Sequence, residues 1–123
     1  MILSTGRTVL VVEDQDELRA LMLRTLAGEG YRVLEARDGL EALEVLEAEP
    51  DVSLVVTDIL MPRMDGLQLA EHLGSKSHAL ILFISGYSSP GTDVPGPFLA
   101  KPFSPLALCA EVQRLLAPSR SEA

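Results

Sequence analysis

Basic residues are scarce in this chain: 10 Lys and Arg stand against 18 Asp and Glu, for a formal net charge of −8. Neutralising nucleic-acid phosphates needs clustered Lys and Arg, so this balance excludes an ordinary nucleic-acid-binding surface. Cysteine is reduced to Cys109, which rules out an intramolecular disulfide and suits a reducing compartment. No apolar run is long enough to span a bilayer, and no signal-peptide hydrophobic region opens the chain. Internal repeats and low-complexity tracts are absent. So is a Gly-x-x-x-x-Gly-Lys phosphate loop, and Gly28-Glu29-Gly30 lacks the rest of a dinucleotide fingerprint. These absences lead to an expectation of a cytoplasmic, soluble protein with no membrane and no direct nucleic-acid partner. What is present is 123 residues, 47% of them apolar, enough for one domain with one core.

Apolar runs and helical patterns alternate along that length. Residues 9–12, Val-Leu-Val-Val, read as a fully buried strand of a parallel sheet. Leu18, Leu21, Met22, Thr25 and Leu26 then recur at helical spacing, with Gly28 or Gly30 able to end the helix. A weaker strand is expected over 31–36 and a helix over 38–49, with Leu43 and Leu46 inward and Pro50 as its stop. Residues 52–57 form the central strand and deliver Asp58; 67–73 form a short helix before Gly74. Residues 79–84 form an apolar strand that delivers Ser85, and 98–100 a short strand that ends at Lys101. Ser104-Pro105 opens a last helix, a capping residue followed by proline at the first helical position, with Leu108, Val112, Leu115 and Leu116 on its buried side. With right-handed crossovers this order gives a doubly wound parallel sheet. The domain is expected over residues 8–117, between an extension at 1–7 and a frayed tail at 118–123.

Every distinctive polar residue in this reading follows a strand: Glu13, Asp14, Asp58, Ser85 and Lys101. Open α/β sheets assemble their sites at that edge. Three carboxylates in one pocket repel one another and are tolerable only with raised pKa values or a bound cation. Phosphoryl transfer to a carboxylate needs such a set: oxygen ligands for a divalent ion, a lysine to pair with a phosphoryl oxygen, and a hydroxyl donor.

Three runs in order make the chain resemble the receiver domain of two-component response regulators, over nearly its whole length. They are "VLVVEDQ" from Val9, "VVTDILMPRMDG" from Val55 and "FLAKPF" from Phe98. The resemblance implies a CheY-like, flavodoxin-like five-stranded sheet in the order 2-1-3-4-5. It implies that Asp58 accepts a phosphoryl group from a histidine kinase, or from a histidine phosphotransfer domain. It makes Asp14 a direct ligand of Mg²⁺ (or Mn²⁺), Glu13 a ligand through water, and the Leu60 carbonyl a further ligand beside Asp58. Ser85 matches the family's hydroxyl position, Lys101 its phosphate-pairing lysine and Phe98 its aromatic switch. The Lys101-Pro102 peptide is expected cis on the same ground. The output partner is open, as is homodimerisation, and the chain reads equally as a free-standing regulator or as part of a longer one.

Two departures qualify the match. Between Ser85 and Lys101 the chain is short and rich in Gly86, Pro90, Gly91, Pro95, Gly96 and Pro97, so the family's fourth helix is expected to be missing or reduced to a turn. Tyr87, two residues past the hydroxyl position, is expected to shield a phosphoryl group from water. Taken singly, an acid after a strand is a turn residue or helix cap, and Lys101 a surface charge; only their convergence argues otherwise. Asp65-Gly66 is expected to cap the following helix, His72 and His78 to lie on the surface, and Cys109 to pack as a small apolar residue. The expected role is a signalling switch rather than a turnover enzyme. The alternatives are a phosphorylation-independent adaptor and an Asp-nucleophile phosphatase. The phosphatase wants a second acid two residues after the nucleophile, where Leu60 stands.

Overall fold

The computed structural model describes residues 6–59, 63–74, 78–86 and 96–117. Its elements are β1 (Thr8–Val12), α1 (Asp16–Gly28), β2 (Arg32–Ala36), α2 (Gly39–Ala48), β3 (Leu54–Asp58), α3 (Gly66–Leu73), β4 (Leu80–Ser85), β5 (Phe98–Ala100) and α4 (Pro105–Leu116). The five strands form one sheet in the order β2-β1-β3-β4-β5, and every pairing is parallel. This is the doubly wound sheet that the strand pattern predicts.

β1 and β3 are buried at every residue because both faces of the sheet are covered. Strand alternation divides the core in two. Val9, Val11, Leu54, Val56, Leu82 and Ile84 point to the face packed by Met22 and Leu26 of α1 and by Leu108, Val112 and Leu116 of α4. Leu10, Val12 and Val55 point to the opposite face, against Ala42 of α2 and Leu69 and Leu73 of α3. Burying each such Val, Leu or Ile side chain contributes roughly 1.5–3 kcal/mol, which sets the register firmly.

The boundaries differ from expectation by a residue or two. Tyr31 packs against the α1/α4 core but precedes β2, while Val52 and Ser53 precede β3. Asp58 and Ser85 are the last residues of their strands rather than the first beyond them, because Ile59 N–H and Lys101 N–H continue the ladder to Ile84 O at 3.0 Å and Ser85 O at 2.9 Å. On α1, Leu21 is 37% exposed and not inward; Met22 and Leu26 fill the core. Leu43 and Leu46 are only half-buried, and Ala42 makes the close helix–sheet contact of α2. Asp65 caps α3 in a capping box with Gln68, and Ser104 caps α4 ahead of Pro105, both as expected. Residues 87–95, on which the missing-helix expectation falls, lie outside the described residues, as do the extension and tail at 1–5 and 118–123. No helix among the described residues is long and apolar enough to cross a membrane.

Candidate functional site: a carboxylate cluster at the sheet edge

The carboxyl ends of β1, β3 and β5 bring Glu13, Asp58 and Lys101 together. Register explains why. Val12 lies beside Thr57, so Glu13 follows at the level of Asp58; Asp58 pairs with Ile84, and Ile84 with Leu99. Glu13 has the parity of Val9 and Val11, Asp58 that of Leu54 and Val56, and Lys101 that of Leu99. All three therefore project toward the face covered by α1 and α4. There the Lys101 ammonium donates to Asp58 Oδ2 at 2.8 Å and to Glu13 Oε1 at 3.0 Å. Asp14, exposed, completes a set of three carboxylates whose oxygens lie within 4.8 Å of one another. The Lys101-Pro102 peptide is cis, as the resemblance implies.

The electrostatics of this cluster are unfavourable in isolation. Glu13 is fully buried, and burial pushes its carboxyl above the usual range despite the Gln15 N–H and the Lys101 ammonium that bind it. Lys101 is held above the usual lysine value: partial burial works against the charge, but its bonds to Asp58 and Glu13 outweigh that. Three carboxylates against one ammonium leave an excess of negative charge that one divalent cation would balance. The donors are all hard oxygens, with Asp14 open to water, which is the chemistry of a Mg²⁺ site that keeps part of its hydration shell. The residues present fit such an ion.

The surrounding loops are pinned. Gly66 N–H bonds Ile59 O at 2.8 Å, and a Cβ on Gly66 would collide with the Asp58 carbonyl oxygen. Asp38, almost buried, caps α2 through Glu41 N–H at 2.9 Å and receives Arg63 Nε at 2.7 Å. Burial opposes the Asp38 charge, but the Glu41 N–H and the Arg63 guanidinium prevail and hold its pKa below the usual range. Arg63 sits at φ 67°, in the left-handed region, and the ion pair helps hold it there. Arg19, on α1, donates to the Glu13 carbonyl at 2.9 Å. Neither Arg19 nor the Asp38–Arg63 pair was singled out by sequence pattern, because each acts through contacts between distant segments. The one available signal was Arg19 lying one helical turn inside α1, on the side that faces back to its own N-terminus.

The other predicted site residues are placed as follows. Ser85 is buried at the end of β4, next to Asp58's strand, with the opposite side-chain parity to Ile84. Phe98 is half-buried at the start of β5, level with Phe83 and two residues below the Ser85–Ala100 pair. Leu60 and Tyr87 lie outside the described residues. His72 and His78 are exposed, as expected, and Cys109 is half-buried on α4.

Comparison with known proteins assigns this fold and its cluster of acids to a family. Residues 9–113 match the family model for the response regulator receiver domain, and the chain belongs to that family. It is 42% identical over 123 residues to the sensor kinase CckA of Brucella abortus, covering 93% of this chain but 13% of that protein. It is 35% identical over 117 residues to the response regulator receiver protein CpdR of the same organism, covering 89% of this chain and 97% of the relative. Among solved structures, the receiver domain of the hybrid histidine kinase CckA superposes with a TM-score of 0.79 at 37% identity, covering 89% of this chain and 98% of that one. The chemotaxis response regulator CheY4 of Vibrio cholerae does so with a TM-score of 0.81 at 30% identity, covering 91% and 100%.

Proposed function

We propose that this receiver domain is a phosphoacceptor switch, with Asp58 as the nucleophile and a histidine kinase or histidine phosphotransfer domain as donor. In the transfer, an Asp58 carboxylate oxygen forms a bond to phosphorus as the phosphorus–nitrogen bond of a phosphohistidine breaks, and the imidazole leaves with the electron pair. The observation that carries this reading is the Lys101 ammonium bridging Asp58 and the buried Glu13 beside the exposed Asp14. Lys101 offers a phosphoryl oxygen its positive charge, and the family resemblance assigns the hydroxyl donor to Ser85, at the end of the neighbouring strand. Asp14 and Asp58, with Glu13 behind them, would hold Mg²⁺. The ion would supply the charge that lets a phosphoryl group approach three acids.

The resting interactions of Asp58 differ from those of its phosphorylated form, so phosphorylation shifts the balance between two packings of the sheet edge and thereby partner choice. On this reading the domain is a switch rather than a turnover enzyme. Phe98, on edge strand β5, is the residue the family resemblance assigns to that repacking.

The test is Mg²⁺-dependent phosphorylation by acetyl phosphate, followed by intact mass. The wild-type chain is expected to gain one phosphoryl group, and Asp58→Asn or chelation of the metal to abolish the gain. Transfer that persists in Asp58→Asn would sink the assignment.

A further inference from the structure

We infer that Arg19 is the positioning residue of the acid pair, fixing the loop geometry in which Glu13 and Asp14 take a divalent cation; this rests on the metal-binding reading above. Its side chain is only 12% exposed, and its guanidinium bonds three segments at once. Nη1 donates to Glu13 O at 2.9 Å, Nε to Glu35 Oε1 at 2.9 Å on β2, and Nη2 to Asp16 Oδ1 at 2.7 Å in the first turn of α1. The backbone of residue 13 is thereby held from both sides, because its N–H already bonds Ala36 O at 3.0 Å. The Glu13 side chain is fixed too, by Gln15 N–H and Lys101.

Asp14 is the next residue. Among the described residues, no hydrogen bond or ion pair restrains its carboxylate, so its position depends on the peptide plane that Arg19 sets. Only a planar fork with donors on several edges can serve three acceptors in this way.

Charge and geometry make opposite demands here, which gives the inference a sign. A cation near a metal site opposes metal binding, so losing the Arg19 charge alone would tighten it. Losing the carbonyl clamp would loosen it, and groups that orient metal ligands are typically worth on the order of 10–100-fold in affinity.

The experiment is calorimetric titration of the full chain with Mg²⁺, alongside thermal melts in chelator to establish that each variant is folded. Arg19→Met is expected to weaken Mg²⁺ binding by about 10-fold or more. Arg19→Lys should fall between, since one ammonium can reach the carbonyl but cannot span all three partners. Glu35→Gln, which alters a different partner of the guanidinium, should bind as wild type does. In the metal-free protein the Asp14 and Gln15 amide resonances should move in Arg19→Lys and stay in place in Glu35→Gln.

Unchanged or tighter binding in the Arg19 variants overturns the inference. So does equal weakening by Glu35→Gln, which would point to general stiffening of α1 against β2. Should Arg19→Met fail to fold, Arg19→Lys decides. A wild-type chain that binds no Mg²⁺ would instead sink the metal reading itself, before any variant is compared.

Discussion

Replacing Lys101 by methionine keeps an unbranched, slightly shorter side chain and removes its charge. Glu13 is then left fully buried, and Asp58 nearly so, without the ammonium that bonds them at 3.0 and 2.8 Å. Breaking a buried ion pair by removing one partner typically costs about 3–5 kcal/mol. Lys101 is itself 19% exposed, so solvent reaches the vacated position, and a cost of about 2–3 kcal/mol is the better expectation. For a domain of this size that corresponds to a melting temperature lower by roughly 10 °C in chelator at neutral pH.

The loss has a defined pH dependence. Burial already raises the Glu13 pKa above its ordinary value of 4.5, and losing the ammonium raises it further. Below 4.5 the group is protonated folded and unfolded alike, and its full favourable contribution is present. As pH rises through the folded value, that contribution is lost. The deficit of Lys101→Met therefore opens with rising pH and closes on acidification. Saturating Mg²⁺ replaces the missing charge; at a concentration of about 100 times Kd, binding returns roughly 2.7 kcal/mol. Thermal or urea unfolding across pH, with and without Mg²⁺, is the assay. A variant as stable as wild type in chelator at neutral pH, or a deficit that acid does not shrink, would refute the reasoning.

Two further substitutions probe the scaffold behind the site. Gly66→Ala puts a Cβ against the Asp58 carbonyl, so the β3–α3 connection must shift; metal affinity and phosphorylation are expected to fall even where circular dichroism is unchanged, and wild-type behaviour in both would contradict the contact. Asp38→Ala removes the α2 cap and the Arg63 pair at a cost of about 1–2 kcal/mol, mostly from the cap. Because the Asp38 pKa is depressed, its stabilisation is present above the unfolded value of 3.8 and is lost as pH falls through the folded one. The gap between Asp38→Asn, which can still cap, and wild type should accordingly close in acid, and a gap independent of pH in urea unfolding would remove the ion-pair argument.

Much of the site was legible because local pattern and topology reinforce each other. Acids after the Val-Leu-Val-Val run, after the central strand, and a lysine after the last short strand can meet only if the strands run parallel in one sheet, and the apolar runs already demanded a sheet covered on both faces. Leu21 was misread because a helix of this spacing presents several apolar residues near its boundary, and only the facing sheet decides which are covered. Strand ends were misread because Asp58 and Ser85 are polar yet still ladder-bonded through their neighbours.

The sequence by itself determined the alternation of strands and helices, the identity of the acids and the lysine, and the edge at which they gather. Those follow from periodicity and chain order, which are local properties. Tertiary structure alone decided that Glu13, Asp58 and Lys101 share one face, that Arg19 grips the Glu13 carbonyl, and that Asp38 pairs with Arg63 across 25 positions of chain. Register and long-range side-chain contacts set these, and neither is encoded in the spacing of residues along a single segment.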